Sequence, residues 1–180
     1  MARYGITDRL TGGTPTANDA TYGAVVNAVD NNEATHWQTN TSKIPAWFKY
    51  DCGAGVIWAF GKLRCKPYGS SYGPNAFNVT SSNNDSDYTT LYTGNMANNS
   101  NWQEFTWINS IKYRYIKINI TSSYEVGNSV AVYEFEAMEM IKVGGLGIGN
   151  PWIFMKDMWE KHDKLWQPKL ILPKDLEFQI

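Results

Sequence analysis

The feature that most constrains the fold is a series of short segments in which apolar and polar residues alternate. Aromatic and β-branched residues are enriched in these segments, as is usual for strands that bury one face. Gly, Asn, Ser, Asp and Pro fill the loops between them, which predicts an all-β, antiparallel sandwich or barrel. The predicted strands are AWFKYDC (46–52), VIWAFGKLRCKPY (56–68), AFNVTSS (76–82), WQEFTWI (102–108), YRYIKINIT (113–121) and VAVYEFEAMEMI (130–141). Gly61 lies inside the second of them and predicts a β-bulge.

A different pattern begins after the last predicted strand. VGGLGIGNP (143–151) is a Gly-rich hinge, and Asn150 followed by Pro151 is a favourable helix start. The helix carries an apolar stripe at spacings of three and four and ends at Gln167-Pro168, and an extended tail follows it. The stripe contains Trp152, Met155, Trp159, His162 and Trp166. The predicted organisation is therefore an N-terminal arm (1–12), a sandwich (13–142), a hinge (143–150), and a C-terminal helix with an extended docking tail (151–180).

The aromatic stripe needs a partner, because an isolated helix of this length is marginal in water. It could fold back on its own sandwich, or it could form an interface with sister copies or a larger assembly. The Gly-rich hinge and the unusually aromatic stripe favour the interface.

Composition and charge exclude several kinds of partner. The 16 Lys and Arg residues nearly balance 17 Asp and Glu, and no long basic run appears, which excludes nucleic acid and anionic membranes. No apolar run approaches the length of a membrane span. The N-terminus lacks an apolar leader, so we expect synthesis in the cytoplasm. In that setting Cys52 and Cys65 are expected to be free thiols.

Catalytic motifs are missing from the sequence. The two histidines, His36 and His162, lie in unrelated segments, and no nucleophile elbow, zinc-protease, phosphate-loop or CxxC motif occurs. Asp85, Asp87 and Glu104 fall in loops or on exposed strand faces and are interpreted as solvated charge. The chain is therefore predicted not to be an enzyme.

Several motifs in order carry a family resemblance. They are AVDNNEATHWQT, AWFKYDCG, NAFNVTSSNNDSDYTTLYTG, WQEFTW, YRYIKINI and VYEFEAM, over roughly residues 13–141. In this order they resemble the discoidin, or coagulation factor 5/8 type C, family, which overlaps with the galactose-binding-like carbohydrate-binding modules. Asn31 stands where the family usually has Gly, and Cys52 where it has Leu. The resemblance implies an eight-stranded, jelly-roll-like β-sandwich.

The resemblance also implies a structural calcium ion in the loop of residues 27–37. The side chains of Asp30, Thr35 and Glu134, with carbonyls from about Asn27, Asn32 and Glu134, would supply the hard oxygens that Ca²⁺ prefers. The alternative is that Asp30 and Asn32 cap a turn while Glu134 bonds a backbone amide or an Arg. Both interpretations stay open. Trp37 is expected to pack into the core below the loop.

Ligand binding in this family comes from the loops at one end of the sandwich. Sugar recognition needs an aromatic face for the ring and polar groups for the hydroxyls. The loop 68–75 is the leading candidate, since its tyrosines lie among small residues. The candidate ligand-binding residues are Tyr68, Tyr72, Asn75, His36, Gln38 and Tyr124. Alternatively, these tyrosines cover the sandwich end or touch a neighbouring subunit.

A binding head, a hinge and a docking tail together suggest a role in a particle. We expect a phage or virus structural protein, a non-catalytic virion component that recognises cell-surface glycans and gains avidity from many copies. Two alternatives remain: a purely structural assembly subunit without a glycan ligand, and an intracellular protein-interaction adaptor.

Overall fold

The computed structural model describes residues 3–69, 71–124 and 129–141. The hinge, helix and tail predicted for 143–180 lie outside the described residues, and so do Trp152, Met155, Trp159, His162 and Trp166. Within the described ranges, no helix has the length and apolar character that crossing a membrane requires.

The described residues form ten strands and one short 3₁₀ turn. The turn covers Val25–Val29. The strands are β1 (Arg3–Tyr4), β2 (Thr14–Ala17), β3 (Trp37–Gln38), β4 (Ala46–Asp51), β5 (Phe60–Pro67), β6 (Ala76–Ser82), β7 (Thr89–Asn95), β8 (Gln103–Thr106), β9 (Tyr115–Ile120) and β10 (Ala131–Ile141).

The strands form two antiparallel sheets. Sheet I has the order β1-β10-β5-β8, with β3 also paired to β10, and sheet II has the order β2-β4-β9-β6-β7. This arrangement confirms the predicted all-β sandwich. Because β1 pairs with the end of β10 through Arg3–Ile141 and Tyr4–Met140, the predicted N-terminal arm extends sheet I.

The predicted strand segments match β4, β5, β6, β8, β9 and β10 within a few residues at each end. Sequence analysis missed β1, β2, β3 and β7. The first three are four residues or shorter, and β7 lacks the alternating burial that marks a strand with one buried face. Short or exposed strands therefore carry too little periodicity to be recognised from sequence.

The bulge predicted at Gly61 is confirmed. Met138 pairs with Lys62 and Glu139 with Phe60, which leaves Gly61 as the extra residue on β5. A Cβ atom at this position would lie 2.7 Å from the Cβ of Met140. Glycine is needed here because the backbones of β5 and β10 approach too closely for a side chain.

The hydrophobic core lies between the sheets. Trp37 is fully buried, as predicted, and its indole N–H donates to the Asp19 carbonyl at 2.7 Å. Cys52 and Cys65 are buried free thiols, also as predicted. The largest fully buried side chains include Trp37, Phe48, Tyr50, Phe60, Phe77 and Phe135.

Three connections emerge at the same end of the sandwich, which we call the loop end. They are residues 68–75 between β5 and β6, 96–102 between β7 and β8, and 121–130 between β9 and β10. The pairings Phe77–Ile120 and Val132–Pro67 place the flanking strand ends side by side. The fold thus gathers the predicted ligand-binding loop with two others.

Candidate functional site

Four aromatic side chains form a contiguous group at the loop end, which we call the aromatic cluster: His36, Tyr68, Tyr72 and Tyr133. Tyr68 stacks on Tyr133 with ring centroids 5.0 Å apart and planes 19° from parallel. His36 meets Tyr68 edge to face at 5.0 Å, and Tyr72 meets Tyr68 in the same manner at 6.0 Å. Such offset and edge-to-face geometries are favourable for aromatic pairs, so the cluster is a preformed surface.

Backbone pairing between the 68–75 loop and β10 positions the tyrosines. The Tyr68 N–H donates to the Ala131 carbonyl at 3.1 Å, and the Ala131 N–H donates to the Tyr72 carbonyl at 2.8 Å. Tyr133 lies at a break in the pairing of β10 with β5, where the register shifts between Val132 and Glu134, and this break brings Tyr133 to the cluster. Sequence analysis missed Tyr133 because a bulge depends on pairing with a distant strand.

The polar atoms of the cluster have no hydrogen-bond partner among the residues that the structure describes. All four side chains are half-buried. Among the described residues, none accepts from or donates to the phenol oxygens of Tyr68, Tyr72 or Tyr133, or the ring nitrogens of His36. Within the described part of the chain, the cluster therefore combines aromatic surface with unpaired hydrogen-bonding groups, which is the combination that sugar recognition requires.

A charged rim borders the cluster. The Lys66 ammonium lies 5.8 Å from the Tyr133 ring centroid and forms an ion pair with Glu33. Glu33 also accepts from the Trp102 indole N–H at 2.9 Å, and the Arg64 guanidinium lies 4.3 Å from the Trp102 ring centroid. The Lys66 hydrogen bond, followed by that of Trp102, lowers the pKa of the Glu33 carboxyl. The Lys66–Glu33 pair of the rim is therefore ionised at neutral pH.

The other predicted ligand-binding residues make contacts elsewhere. Tyr124 donates its phenol O–H to the Met96 carbonyl at 2.8 Å, so its polar atom is already used. Asn75 accepts from the Asn95 side-chain amide at 3.0 Å. Gln38 lies in β3, opposite Ala131. The structure thus brings together Tyr68, Tyr72 and His36 but leaves the other candidates outside the aromatic cluster.

The loop predicted to hold calcium brings several oxygen atoms together. Thr35 Oγ1 lies 2.8 Å from Asp30 Oδ2 and 2.9 Å from the Asn32 carbonyl oxygen. Its hydroxyl has one proton for these two acceptors. Asn31 adopts a left-handed conformation with φ of 58°, which Asn tolerates and which explains its place where the family has Gly.

Glu134 completes this group from β10. It is only 1% exposed, and neither of its carboxyl oxygens has a hydrogen-bond partner among the described residues. Burial, and then the charge of the Asp30 carboxylate, raises the pKa of Glu134 to about 8, while the Asn31 backbone amide opposes the shift. A carboxylate buried without a partner is costly, so this position favours a proton or a cation.

The chemistry of the donors limits which metal would fit. Among the described residues, no three His, Cys, Asp or Glu side chains are grouped as metal ligands. The available donors are two carboxylates, a hydroxyl and backbone carbonyls, which suit Ca²⁺ and not Zn²⁺. The residues present therefore fit the calcium ion that the resemblance implies.

Comparison with known proteins agrees with this architecture. The family model of the F5/8 type C domain matches residues 13–135. The chain belongs to the F5/8 type C domain family. No curated protein matches the chain at a significant level.

Solved structures with the same fold include carbohydrate-binding modules. The module CpGH89CBM32-5 from Clostridium perfringens, solved with GalNAc-β-1,3-galactose, aligns with a TM-score of 0.64 and 16% identity, over 72% of this chain and 96% of that one. The family 32 module of C. perfringens NanJ, solved with galactose, aligns with a TM-score of 0.64 and 18% identity, over 77% and 100%. The family 32 module of AlyQ, in complex with 4,5-unsaturated mannuronic acid, aligns with a TM-score of 0.59 and 16% identity, over 69% and 92%. At these identities, the likeness shows the fold.

Proposed function

We propose that the chain is a non-catalytic carbohydrate-binding module whose ligand lies on the aromatic cluster at the loop end. The observation that carries this proposal is the contiguous group of rings of Tyr68, Tyr72, Tyr133 and His36, whose phenol and imidazole groups have no hydrogen-bond partner among the described residues. Similar folds solved with galactose and with GalNAc-β-1,3-galactose support a glycan as the ligand class.

The rings and the phenol groups of the cluster have different roles in the proposed binding. The exposed part of a tyrosine ring accepts the apolar face of a pyranose, while the phenol groups donate to or accept from its hydroxyls. The tyrosines are fixed by backbone pairing with β10, so little conformational entropy is lost on binding. Such a site has modest affinity, and repeated copies would raise the avidity.

The test is titration of the full chain with galactose and with GalNAc-β-1,3-galactose by calorimetry. We expect binding that Tyr68→Ala and Tyr133→Ala weaken by about tenfold or more, equivalent to about 1.4 kcal/mol. Tyr22→Ala is the matched control, because Tyr22 is 60% exposed and lies outside the cluster. Unchanged affinity in both cluster variants would contradict the proposed site. Absence of binding to a broad glycan array would favour the structural or adaptor alternatives.

A structural calcium ion accompanies this proposal. The side chains of Asp30, Thr35 and Glu134, with the carbonyls of Asn27 and Asn32, would hold it. The ion would supply the positive charge that the buried Glu134 carboxylate lacks, and would fix the loop that carries His36.

Calcium binding is tested by thermal unfolding at pH 8 in millimolar CaCl₂ against chelator. We expect a higher midpoint with calcium, because a cation that binds only the folded state stabilises it. Glu134→Gln should abolish the difference. Equal midpoints with and without calcium in the unsubstituted chain would leave the loop as a hydrogen-bonded turn.

The roles of the C-terminal segment and of a virus particle remain part of the proposal. No comparison supports a viral origin, which rests on the predicted arrangement of head, hinge and tail alone. Light scattering of the full chain, compared with a variant that has Trp152, Trp159 and Trp166 changed to Ser, tests self-association. A smaller oligomer in the variant would support the docking tail; equal masses would contradict self-association.

A further inference from the structure

The outer face of sheet II carries two rows of aligned side chains. Trp47 pairs with Asn119, which pairs with Asn78 on the next strand. Lys49, Lys117 and Thr80 form the neighbouring row in the same way. We call these six residues the sheet II face: Trp47, Asn119, Asn78, Lys49, Lys117 and Thr80. Strand spacing and rise give the two rows a span of about 10 Å by about 7 Å, comparable with a short oligosaccharide.

The sheet II face has one positive charge, on Lys117, that no described residue pairs with. Lys49 and Lys117 are directly opposite each other, an arrangement that is unfavourable for like charges. Lys49 is paired with Asp85 at 2.7 Å. Among the described residues, none forms an ion pair or a hydrogen bond with the Lys117 ammonium, which lies 4.7 Å from the Trp47 ring centroid and 5.4 Å from that of Tyr88.

The surroundings of Lys117 favour an added anion. Burial, and then the charge of Lys49, lowers the pKa of Lys117, while Asp85 opposes the shift. An anion bound beside this ammonium would offset both effects. Asp85 is already paired with Lys49. The positive charge of Lys117 therefore suits a ligand that places one acidic group beside it.

Two side-chain amides next to the lysines have one donor group and one acceptor atom without a partner in the described part of the chain. Asn119 Nδ2 donates to Asn78 Oδ1 at 2.8 Å and to Thr80 Oγ1 at 3.2 Å. No described residue pairs with Asn119 Oδ1 or Asn78 Nδ2. A donor and an acceptor held side by side match the vicinal hydroxyls of a sugar.

We propose that the sheet II face binds an acidic, uronate-bearing saccharide. The sugar ring lies on Trp47, its carboxylate accepts from Lys117, and its hydroxyls bond the free atoms of Asn78 and Asn119. This site lies on the face of a sheet, apart from the aromatic cluster at the loop end, and does not rest on the function proposed for that cluster. One ammonium beside an indole ring and two side-chain amides matches a sugar ring that carries one carboxylate, which favours a saccharide over an acidic protein.

The test is calorimetric titration of the full chain with trigalacturonate at low salt, with trimannuronate as a second probe. The methyl ester of trigalacturonate is the matched control ligand, since it keeps the rings and removes the charge. We expect trigalacturonate to bind and its methyl ester to bind at least about tenfold more weakly. Added salt should weaken the binding of trigalacturonate. The side-chain amide resonances of Asn78 and Asn119 should shift during the titration.

Variants assign the binding to this surface. Lys117→Met keeps the aliphatic chain and should weaken the binding of trigalacturonate by about tenfold, or about 1.4 kcal/mol. Lys112→Met is the control, because Lys112 is exposed in the loop between β8 and β9, away from the sheet II face. Tyr68→Ala should leave trigalacturonate binding unchanged, which separates this proposal from that for the aromatic cluster.

Several results would overturn the proposal. They are failure of both uronates to bind, equal affinity of acid and ester, or equal affinity of Lys117→Met and the unsubstituted chain. Loss of binding in Tyr68→Ala but not in Lys117→Met would move the acidic sugar to the aromatic cluster. Hexaglutamate that binds as tightly as trigalacturonate would show that the surface recognises charge alone.

Discussion

Sheets I and II each hold a carboxylate in a polar cluster, but the two carboxylates have opposite environments. Asp51, on β4 of sheet II, accepts from Arg114 Nε at 2.6 Å and Nη2 at 2.7 Å, and Arg114 lowers its pKa. Glu134, on β10 of sheet I, is buried with no hydrogen-bond partner for its carboxyl oxygens among the described residues, and burial raises its pKa to about 8. The fold itself accounts for the charge of Asp51, whereas the position of Glu134 favours a proton or a cation.

The largest expected effect is the pH dependence that Glu134 gives to stability in chelator. Between about pH 4.5 and about 8, folded Glu134 keeps a proton that the unfolded chain has released. The free energy of unfolding should therefore fall as pH rises through this window, by several kcal/mol at about 1.4 kcal/mol per pKa unit. Denaturant unfolding at several pH values measures it. In Glu134→Gln the free energy of unfolding should no longer fall with pH in this window. An equal pH dependence in both proteins would contradict the role given to Glu134.

A smaller effect is expected at the bulge where β5 meets β10. Gly61→Ala should destabilise the fold by about 1–3 kcal/mol, because the new Cβ lies 2.7 Å from the Met140 Cβ. Gly5→Ala is the control, since its nearest contact is 3.4 Å, to the Glu139 carbonyl oxygen. The measurement is the free energy of unfolding in denaturant. Equal values for both variants would show that sheet I relaxes around the bulge.

A further effect on stability is expected at Asn31, which lies in the loop beside Glu134 and has a left-handed backbone conformation. Asn31→Ala should cost about 1 kcal/mol, because alanine tolerates the left-handed conformation poorly. Asn31→Gly should be close to neutral, since glycine adopts that conformation freely. Thermal unfolding of the two variants distinguishes them. A neutral Asn31→Ala would mean that the loop changes conformation without loss of stability.

The smallest expected effect concerns the Asp51–Arg114 pair, which is partly exposed to solvent. Because the folded pKa of Asp51 is lowered, its contribution to stability is present above the unfolded pKa and disappears as pH falls through the folded pKa. Arg114→Gln should therefore reduce stability slightly at pH 7 and hardly at all in strong acid. This trend is opposite to that of Glu134. An effect of Arg114→Gln that grows toward low pH would contradict it.

Local patterns made most of the fold predictable. Strands such as β4 and β9 bury every second residue, so their alternation is visible in the sequence. The ordered motifs identified the family, and the turn chemistry around Asp30 marked the loop that gathers oxygen atoms. The 68–75 loop was recognised because its tyrosines lie among small residues.

The remainder of the candidate sites could not be predicted, because it depends on pairing between distant segments. Tyr133 joins the aromatic cluster through a bulge in β10 against β5. Tyr124 resembles Tyr72 in its local sequence, since both follow Ser-Ser, but the Tyr124 phenol donates to the Met96 carbonyl after the loops meet. Neither contact leaves a signal in the surrounding residues.

The sequence by itself determined the alternating strands, the family and the short list of aromatic loop residues. The tertiary structure alone decided that Asp51 pairs with Arg114 while no described arginine pairs with Glu134, and that Trp47, Asn119 and Asn78 form one row. The physical reason is register: a shift of one residue moves every side chain of a strand to the other face. Register is set by the whole sandwich, so surfaces built across strands appear only when the sheets assemble.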